Sequence, residues 1–243
     1  MGRAIGAALA ARHDSVVATL GRDAARTDVM PLRPVDVAFE FTHADAVVGN
    51  ARVAAATGAR VLVTGTSGWA SDQAIRDELN AIAAACDMRI VAGATFSVAT
   101  VLFTDIAVEA ARRFGRFADF DPYVFEHHRR TKPDRPSGTA LAIAEAMLPH
   151  LRSKRQARLP DGQGAPDPET LEVVAIRAGA SPGMHVVGFD APGESIELRV
   201  TARDRSAYVA GALLAADTAL TDPDLPPGLI TFAELLDRAT TDR

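Results

Sequence analysis

The residues best equipped for chemistry in this 243-residue chain stand together near its middle. His127-His128-Arg129-Arg130-Thr131-Lys132 offers two imidazoles and three cations, and Pro136-Ser137-Gly138-Thr139-Ala140 follows as a turn. Downstream, Ala140, Leu141, Ala144, Met147, Leu148 and Leu151 recur at the three-to-four spacing of one buried helix face, with Ser137 as its N-cap. The free N–H groups of Gly138, Thr139 and Ala140 would point out of that helix start, with the positive end of its dipole, and suit an anion such as a carboxylate. An imidazole and an ammonium beside such a turn combine a proton donor, a charge stabiliser and a carboxylate clamp. Upstream, Tyr123-Val124-Phe125 has strand character, and side chains alternate in direction along a strand. Only one of His127 and His128 is therefore expected to face the site. A metal centre built from Glu126, His127 and His128 is not expected, because adjacent residues are poorly placed to chelate one ion.

From Glu126 to Ala140 the sequence resembles, without a gap, the signature Glu-x-His-His-x-x-Lys-x-Asp-x-Pro-Ser-Gly-Thr-Ala of the 4-hydroxy-tetrahydrodipicolinate reductases (dihydrodipicolinate reductases) of lysine and diaminopimelate biosynthesis. Registered on Lys132, the resemblance implies that His128 is the catalytic histidine and Lys132 the proton donor. It implies that Ser137, Gly138 and Thr139 hold substrate carboxylate. The family's second histidine, a substrate contact, is Arg129 here; a guanidinium binds carboxylate bidentately but is longer and permanently charged. The activity implied is NAD(P)H-dependent reduction of 4-hydroxy-tetrahydrodipicolinate to tetrahydrodipicolinate with loss of water, on a small cyclic dicarboxylate. Two alternatives accompany it: a paralogous imine or keto-acid reductase, and a non-catalytic homolog that no longer binds cofactor.

The elements that must position these residues form an α/β pattern. Strands are expected at 36–41, 60–64 and 89–92, with helices at 44–57 and 72–86, the alternation of a parallel, Rossmann-like sheet covered by helices. A helix over 98–114 leads into a smaller α+β domain with a mixed or antiparallel sheet from 172–177, 184–190 and 194–203, preceded by a loop over 155–170. Helices at 207–220 and 232–238 close the chain. The expected domains are 1–97 with 206–243 for dinucleotide binding, and 98–205 for substrate binding and tetramerisation, since in the family the open sheet assembles a homotetramer. His185, alone within a strand, is expected to be a hydrogen-bonded structural residue.

In the family, the loop corresponding to Gly65–Trp69 meets the nicotinamide half of the cofactor, and the segment corresponding to Gly93–Phe96 lies at the edge of the cofactor and substrate cleft. Glu40-Phe41-Thr42 resembles its Asp-Phe-Thr, Gly65-Thr66-Ser67-Gly68-Trp69 its Gly-Thr-Thr-Gly-Phe, and Gly93-Ala94-Thr95-Phe96 its Ala-x-Asn-Phe. The resemblance thus assigns cofactor contacts to Phe41, Gly65, Thr66, Ser67, Gly93, Ala94, Thr95 and Phe96. Residues 1–12 read as helix and 16–20 as strand, whereas a dinucleotide-binding domain opens with a strand and a Gly-rich turn. Met1-Gly2-Arg3 matches the last three residues of the family's Gly-Arg-Met-Gly-Arg turn, which gives Gly2 and Arg3 cofactor roles. The first strand and first two glycines of the pattern have no counterpart. Losing an innermost strand would strand buried ladder groups at about 1 to 3 kcal/mol each, so the easier expectation is a natural chain that begins upstream of Met1. For the sequence as it stands, dinucleotide binding is expected to be weakened or lost. Gly21 replaces the acid that would bind a ribose 2′-hydroxyl, while Arg22 is kept, which favours NADPH, with NADH possible.

Composition bounds the rest. Hydrophobic residues at 48% with 23% charged are those of an ordinary globular protein, and the net charge of −5 argues against nucleic acid as a partner. The single cysteine, Cys86, lies in an apolar run and is expected to be a small buried hydrophobe in a reducing compartment. No leader or membrane-length apolar run is apparent, so a cytoplasmic enzyme is expected.

Overall fold

The structure is a computed structural model that describes residues 1–21, 34–160, 162 and 164–241. In chain order the elements are α1 (Gly2–Ala11), β1 (Val37–Glu40), α2 (Val47–Ala56), β2 (Val61–Thr64), α3 (Gln73–Ala85), β3 (Arg89–Ala92), α4 (Val98–Phe114) and β4 (Asp121–His128). There follow α5 (Gly138–Met147), β5 (Gln156–Arg158), β6 (Thr170–Arg177), β7 (Gly183–Ala191), β8 (Glu194–Ala202), α6 (Ser206–Thr221), β9 (Gly228–Thr231) and α7 (Phe232–Thr241). The chain divides into two compact units, Met1–Phe96 with Tyr208–Arg243, and Ser97–Ala207. Among the described residues no helix is long and apolar enough to cross a membrane.

The first unit holds a parallel sheet in the order β1-β2-β3-β9. Its strands are short apolar runs such as Val61-Leu62-Val63, buried as strands in a parallel sheet covered by helices must be. Val47, Ala51 and Ala54 of α2 and Leu79 and Ala83 of α3 pack with Leu62 and Ile90, small side chains allowing the helices close to the sheet. Asp72 caps α3, its side chain accepting from the Ala74 and Ile75 N–H groups. Gly211 of α6 is a point of closest approach, since a Cβ there would sit 1.6 Å from the Phe96 carbonyl oxygen.

Two local expectations fail in this unit, and one strand had no counterpart among them. Residues 16–20 form no strand; Val16, Val17 and Leu20 stand 39 to 50% exposed, and no described strand offers them a ladder. β9 comes from a Gly-Leu-Ile-Thr segment too short to declare itself by periodicity, and gains its identity from parallel pairing with β3. Cys86 is exposed, because α3 ends at Ala85 and the chain turns at Asp87, φ 50°, before the buried face would recur.

The second unit is a five-stranded mixed sheet, β5-β6-β4-β7-β8, with α4 and α5 on one face. β4 is its middle strand, parallel to β6 and antiparallel to β7. The sheet is thus mixed, as expected, because β4 lies between β6 and the antiparallel pair β7–β8, and the expected 155–170 loop contains the short strand β5, drawn into the edge by pairing with β6. Val124, Val173, Val187 and Phe189 bury their side chains against Ala107, Ile143, Ala144 and Met147.

Candidate active site

Alternation along β4 sends Pro122, Val124, Glu126 and His128 to the covered face. Val124 extends the apolar core, and Glu126 and His128 turn the same face polar at the strand's carboxyl end. Register completes the cluster. Glu126 lies opposite His185 on β7, and His128 opposite Arg177 on β6, so three neighbouring strands each bring side chains to one level of the sheet.

Glu126 is fully buried and is the hub. Oε1 accepts from the Ser137 backbone N–H at 2.8 Å and from Arg177 Nη2 at 2.7 Å, and Oε2 accepts from the Ser137 hydroxyl. Burial alone would raise its carboxyl, but the neighbouring His128, Ser137 and Arg177 hold it well below the usual carboxylate range. Glu126 therefore carries a charge, compensated by an Arg177 side chain that is itself only 9% exposed. Removing either partner would leave a buried charge uncompensated, at a cost of about 3 to 5 kcal/mol.

His128 is buried beside it, with Nδ1 3.2 Å from the Pro182 carbonyl oxygen and Nε2 3.2 Å from Glu126 Oε2 but out of hydrogen-bond alignment. Gly183 leaves room for the imidazole, as a Cβ there would come within 2.8 Å of His128 Cε1. His185 meets the His128 ring edge to face, centroids 5.2 Å apart, and its Nδ1 lies 3.9 Å from Glu126 Oε2. Burial first, then the positive charges around it, push His185 down to about 4. The expectation of a hydrogen-bonded structural histidine thus fails for Nδ1, which is buried with no hydrogen-bond partner among the described residues. Glu126, His128 and His185 together bring three potential metal-ligand atoms within 4.8 Å of one another, a grouping that adjacency in sequence did not suggest. His127 points to the other face, Nε2 3.0 Å from the Ala178 carbonyl oxygen.

After β4 the chain is laid onto β6. Arg177 donates to the Asp134 carbonyl and Arg135 Nε to the Ala175 carbonyl at 3.1 Å. Lys132 Nζ lies 2.7 Å from the Asp134 carboxylate, which the Gly138 N–H also faces. Although partial burial acts against it, the Lys132 ammonium and these backbone donors lower the Asp134 carboxyl. Ser137 caps α5, accepting from the Ala140 N–H at 3.1 Å. Its hydroxyl is occupied on both sides and it is 2% exposed, so this residue, expected among the substrate contacts, shapes the turn. Gly138 is exposed and Thr139 half-buried. Arg129 anchors its backbone N–H on the Ser181 carbonyl at 2.8 Å, and its side chain has no ion pair among the described residues.

In the first unit, the residues expected to contact cofactor cluster at the carboxyl ends of β1, β2 and β3. Phe41 covers Gly65 so closely that a Cβ there would come within 2.0 Å of the ring. Buried Glu40 accepts from the hydroxyls of Thr42, Thr64 and Thr66 and from Asn50, tying these strand ends together. Thr66 also accepts from the Thr42 N–H, and Phe96 is 2% exposed with its ring against Phe232, so neither side chain is open to a ligand. Ser67 and Ala94 are exposed, and Gly65, Gly93 and Thr95 half-buried. Gly2 and Arg3 are exposed in the first turn of α1, and Arg22 lies outside the described residues. Reasoning from sequence alone gave no part in the site to Glu126, Asp134, Arg177 or His185. Only strand register brings Arg177 and His185 to Glu126.

The family model for the C-terminal part of dihydrodipicolinate reductase matches residues 99–236. Curated 4-hydroxy-tetrahydrodipicolinate reductases are similar over most of the chain. That of Methanocorpusculum labreanum is 34% identical over 201 residues, 83% of this chain and 75% of its own. That of Myxococcus xanthus is 36% identical over 208 residues, 83% and 72%. A dipicolinate-bound dihydrodipicolinate reductase from Paenisporosarcina sp. TG-14 shares the fold, with TM-score 0.62 and 20% identity over 81% of this chain and 71% of that one. With these likenesses running through the strand, the turn and both units, the chain belongs to the dihydrodipicolinate reductase family.

Proposed function

We propose that this chain carries out its family's reaction, reducing 4-hydroxy-tetrahydrodipicolinate to tetrahydrodipicolinate with one hydride and one proton taken up and one water lost. The observation that carries the reading is the Asp134 carboxylate, which sits between the Lys132 ammonium and the Gly138 N–H. A place that holds an internal carboxylate in this way has the charge and donors to hold that of a substrate. In this reading the N–H groups of Gly138 and Thr139 bind one substrate carboxylate and Arg129 the other. Lys132 delivers the proton, and His128 is the acid/base or electrostatic partner beside it. Protonating an imine raises its electrophilicity, which is why a cationic donor belongs there.

A nicotinamide, when bound, supplies the hydride. The residues at the carboxyl ends of β1, β2 and β3 fit such a group, because parallel strands present their ligand crevice at that end and Gly65, Gly93 and Ala94 leave backbone accessible. We assign NADPH over NADH on Gly21 and Arg22, and assign dinucleotide binding to the first unit and substrate binding to the second. The outward face of β6, β4 and β7 carries Tyr123, Phe125, Val174, Ile176, Met184 and Val186, with Ile176 42% exposed, and supports a homotetramer built on this sheet. A cytoplasmic location fits a biosynthetic step of this kind.

Titration with dipicolinate followed by NADPH-oxidation kinetics tests the reading. Lys132→Ala should lower kcat at least about 100-fold while leaving the NADPH Kd within error. Equal losses in both would remove Lys132 from the proton-transfer role, and a wild type that binds dipicolinate yet does not turn over 4-hydroxy-tetrahydrodipicolinate in its absence would separate a working pocket from a missing reductant.

A further inference from the structure

We infer that Glu126, His128 and His185 form a binding site for a borderline divalent transition-metal ion, with zinc as its natural class. Two buried nitrogens, His128 Nε2 and His185 Nδ1, have no hydrogen-bond partner among the described residues, although both histidines are only 6% exposed. Native structures rarely leave such atoms unexplained. Both lie near the same oxygen, Glu126 Oε2, at 3.2 and 3.9 Å, and the three atoms fall within 4.8 Å of one another. Tetrahedral ligation with bonds of about 2.0 to 2.1 Å sets ligands roughly 3.4 Å apart, so small side-chain rotations would close the set.

The surroundings are those a metal site requires. A ligating imidazole ordinarily donates its other N–H to a backbone carbonyl, and His128 Nδ1 faces the Pro182 carbonyl oxygen at 3.2 Å. Without a metal, His128 Nε2 faces Glu126 Oε2 across 3.2 Å and helps hold that carboxyl down, a part that a divalent cation bound between them would take over. A ligating carboxylate is oriented through its second oxygen, and Glu126 Oε1 is held by Arg177 and the Ser137 N–H. Two nitrogens and one oxygen select zinc, cobalt or copper and reject magnesium and calcium, which require oxygen shells. The Arg177 charge on Glu126 strengthens that selection by leaving the nitrogens to supply most of the affinity. Occupancy would withdraw His128 from the active site and so inhibit; that consequence rests on the reductase reading, whereas binding does not.

Cobalt(II) titration of the untagged protein, read by visible d–d absorption, tests binding without any turnover. One equivalent should bind with the spectrum of a nitrogen-ligated, low-coordinate ion, zinc should displace it, and millimolar magnesium should not. His185→Gln should weaken cobalt binding about 10-fold or more, while His127→Gln, one position away on the opposite face, leaves it unchanged. A wild-type protein without such bands, or a folded His185→Gln variant that keeps them, would overturn the assignment. If His185→Gln fails to fold, the wild-type spectrum and zinc competition still decide it.

Discussion

Acidification should weaken the second unit through His185. Its imidazole is pushed from an ordinary 6.5 down to about 4 by burial and neighbouring positive charge. The folded protein thus binds the proton later than the unfolded chain. A base with a lowered folded pKa contributes stability that is fully present above 6.5 and is lost as pH falls toward 4. Between pH 7 and pH 5 the difference in proton binding costs about 2 kcal/mol, approaching roughly 3 kcal/mol when His185 is charged in both states. Glu126 works in another window, since a lowered carboxyl loses its contribution only below the ordinary carboxylate range. Urea unfolding followed by far-UV circular dichroism at pH 7 and pH 5 would measure the loss. His185→Gln should flatten the dependence by about 2 kcal/mol while leaving whatever the other five histidines contribute. Equal slopes in wild type and variant would refute the claim that His185 is folded as a neutral imidazole.

Two further substitutions probe the geometry. Gly183→Ala places a methyl 2.8 Å from His128 Cε1 and should turn the imidazole away from Glu126, lowering turnover and dipicolinate affinity together with an unchanged far-UV spectrum; unchanged kinetics would mean the ring needs no such room. Ser137→Ala removes the N-cap of α5 and one donor to Glu126 and should cost about 2 kcal/mol of stability by urea titration, with a loss below about 0.5 kcal/mol counting against the Glu126 hub.

The fold was legible wherever local chemistry carries the signal. The helix expected over 98–114 is α4, bounded by the Ser97 cap and Gly115, and the one over 72–86 is α3, begun by Asp72. Apolar runs marked β1, β2 and β3 within a residue or two. What failed depended on distant partners. Residues 16–20 have the composition of a strand without a ladder to join, and β5 and β9 are strands because β6 and β3 lie beside them. The site divides in the same way. The contiguous run from Glu126 to Thr139 carries the turn and the Ser137 cap of α5 in its own residues, whereas the partnership of Glu126 with Arg177 and His185 spans two strand registers, about which spacing along the chain carries no information. Cys86 shows the limit of composition, since a helix that stops one residue early exposes what an apolar run would bury.

The placement of β4 between a parallel and an antiparallel neighbour makes the reactive cluster a gauge of correct strand pairing. A slip of one residue between β7 and β4 would set Met184 or Val186 opposite Glu126 and turn His185 to the outer face. A slip of β6 would likewise carry Arg177 away and leave a buried carboxylate without its counter-charge. Misregistered chains therefore forfeit both the polar cluster and a large part of their stability at once. The polar end of β4 proofreads the sheet that its apolar beginning assembles.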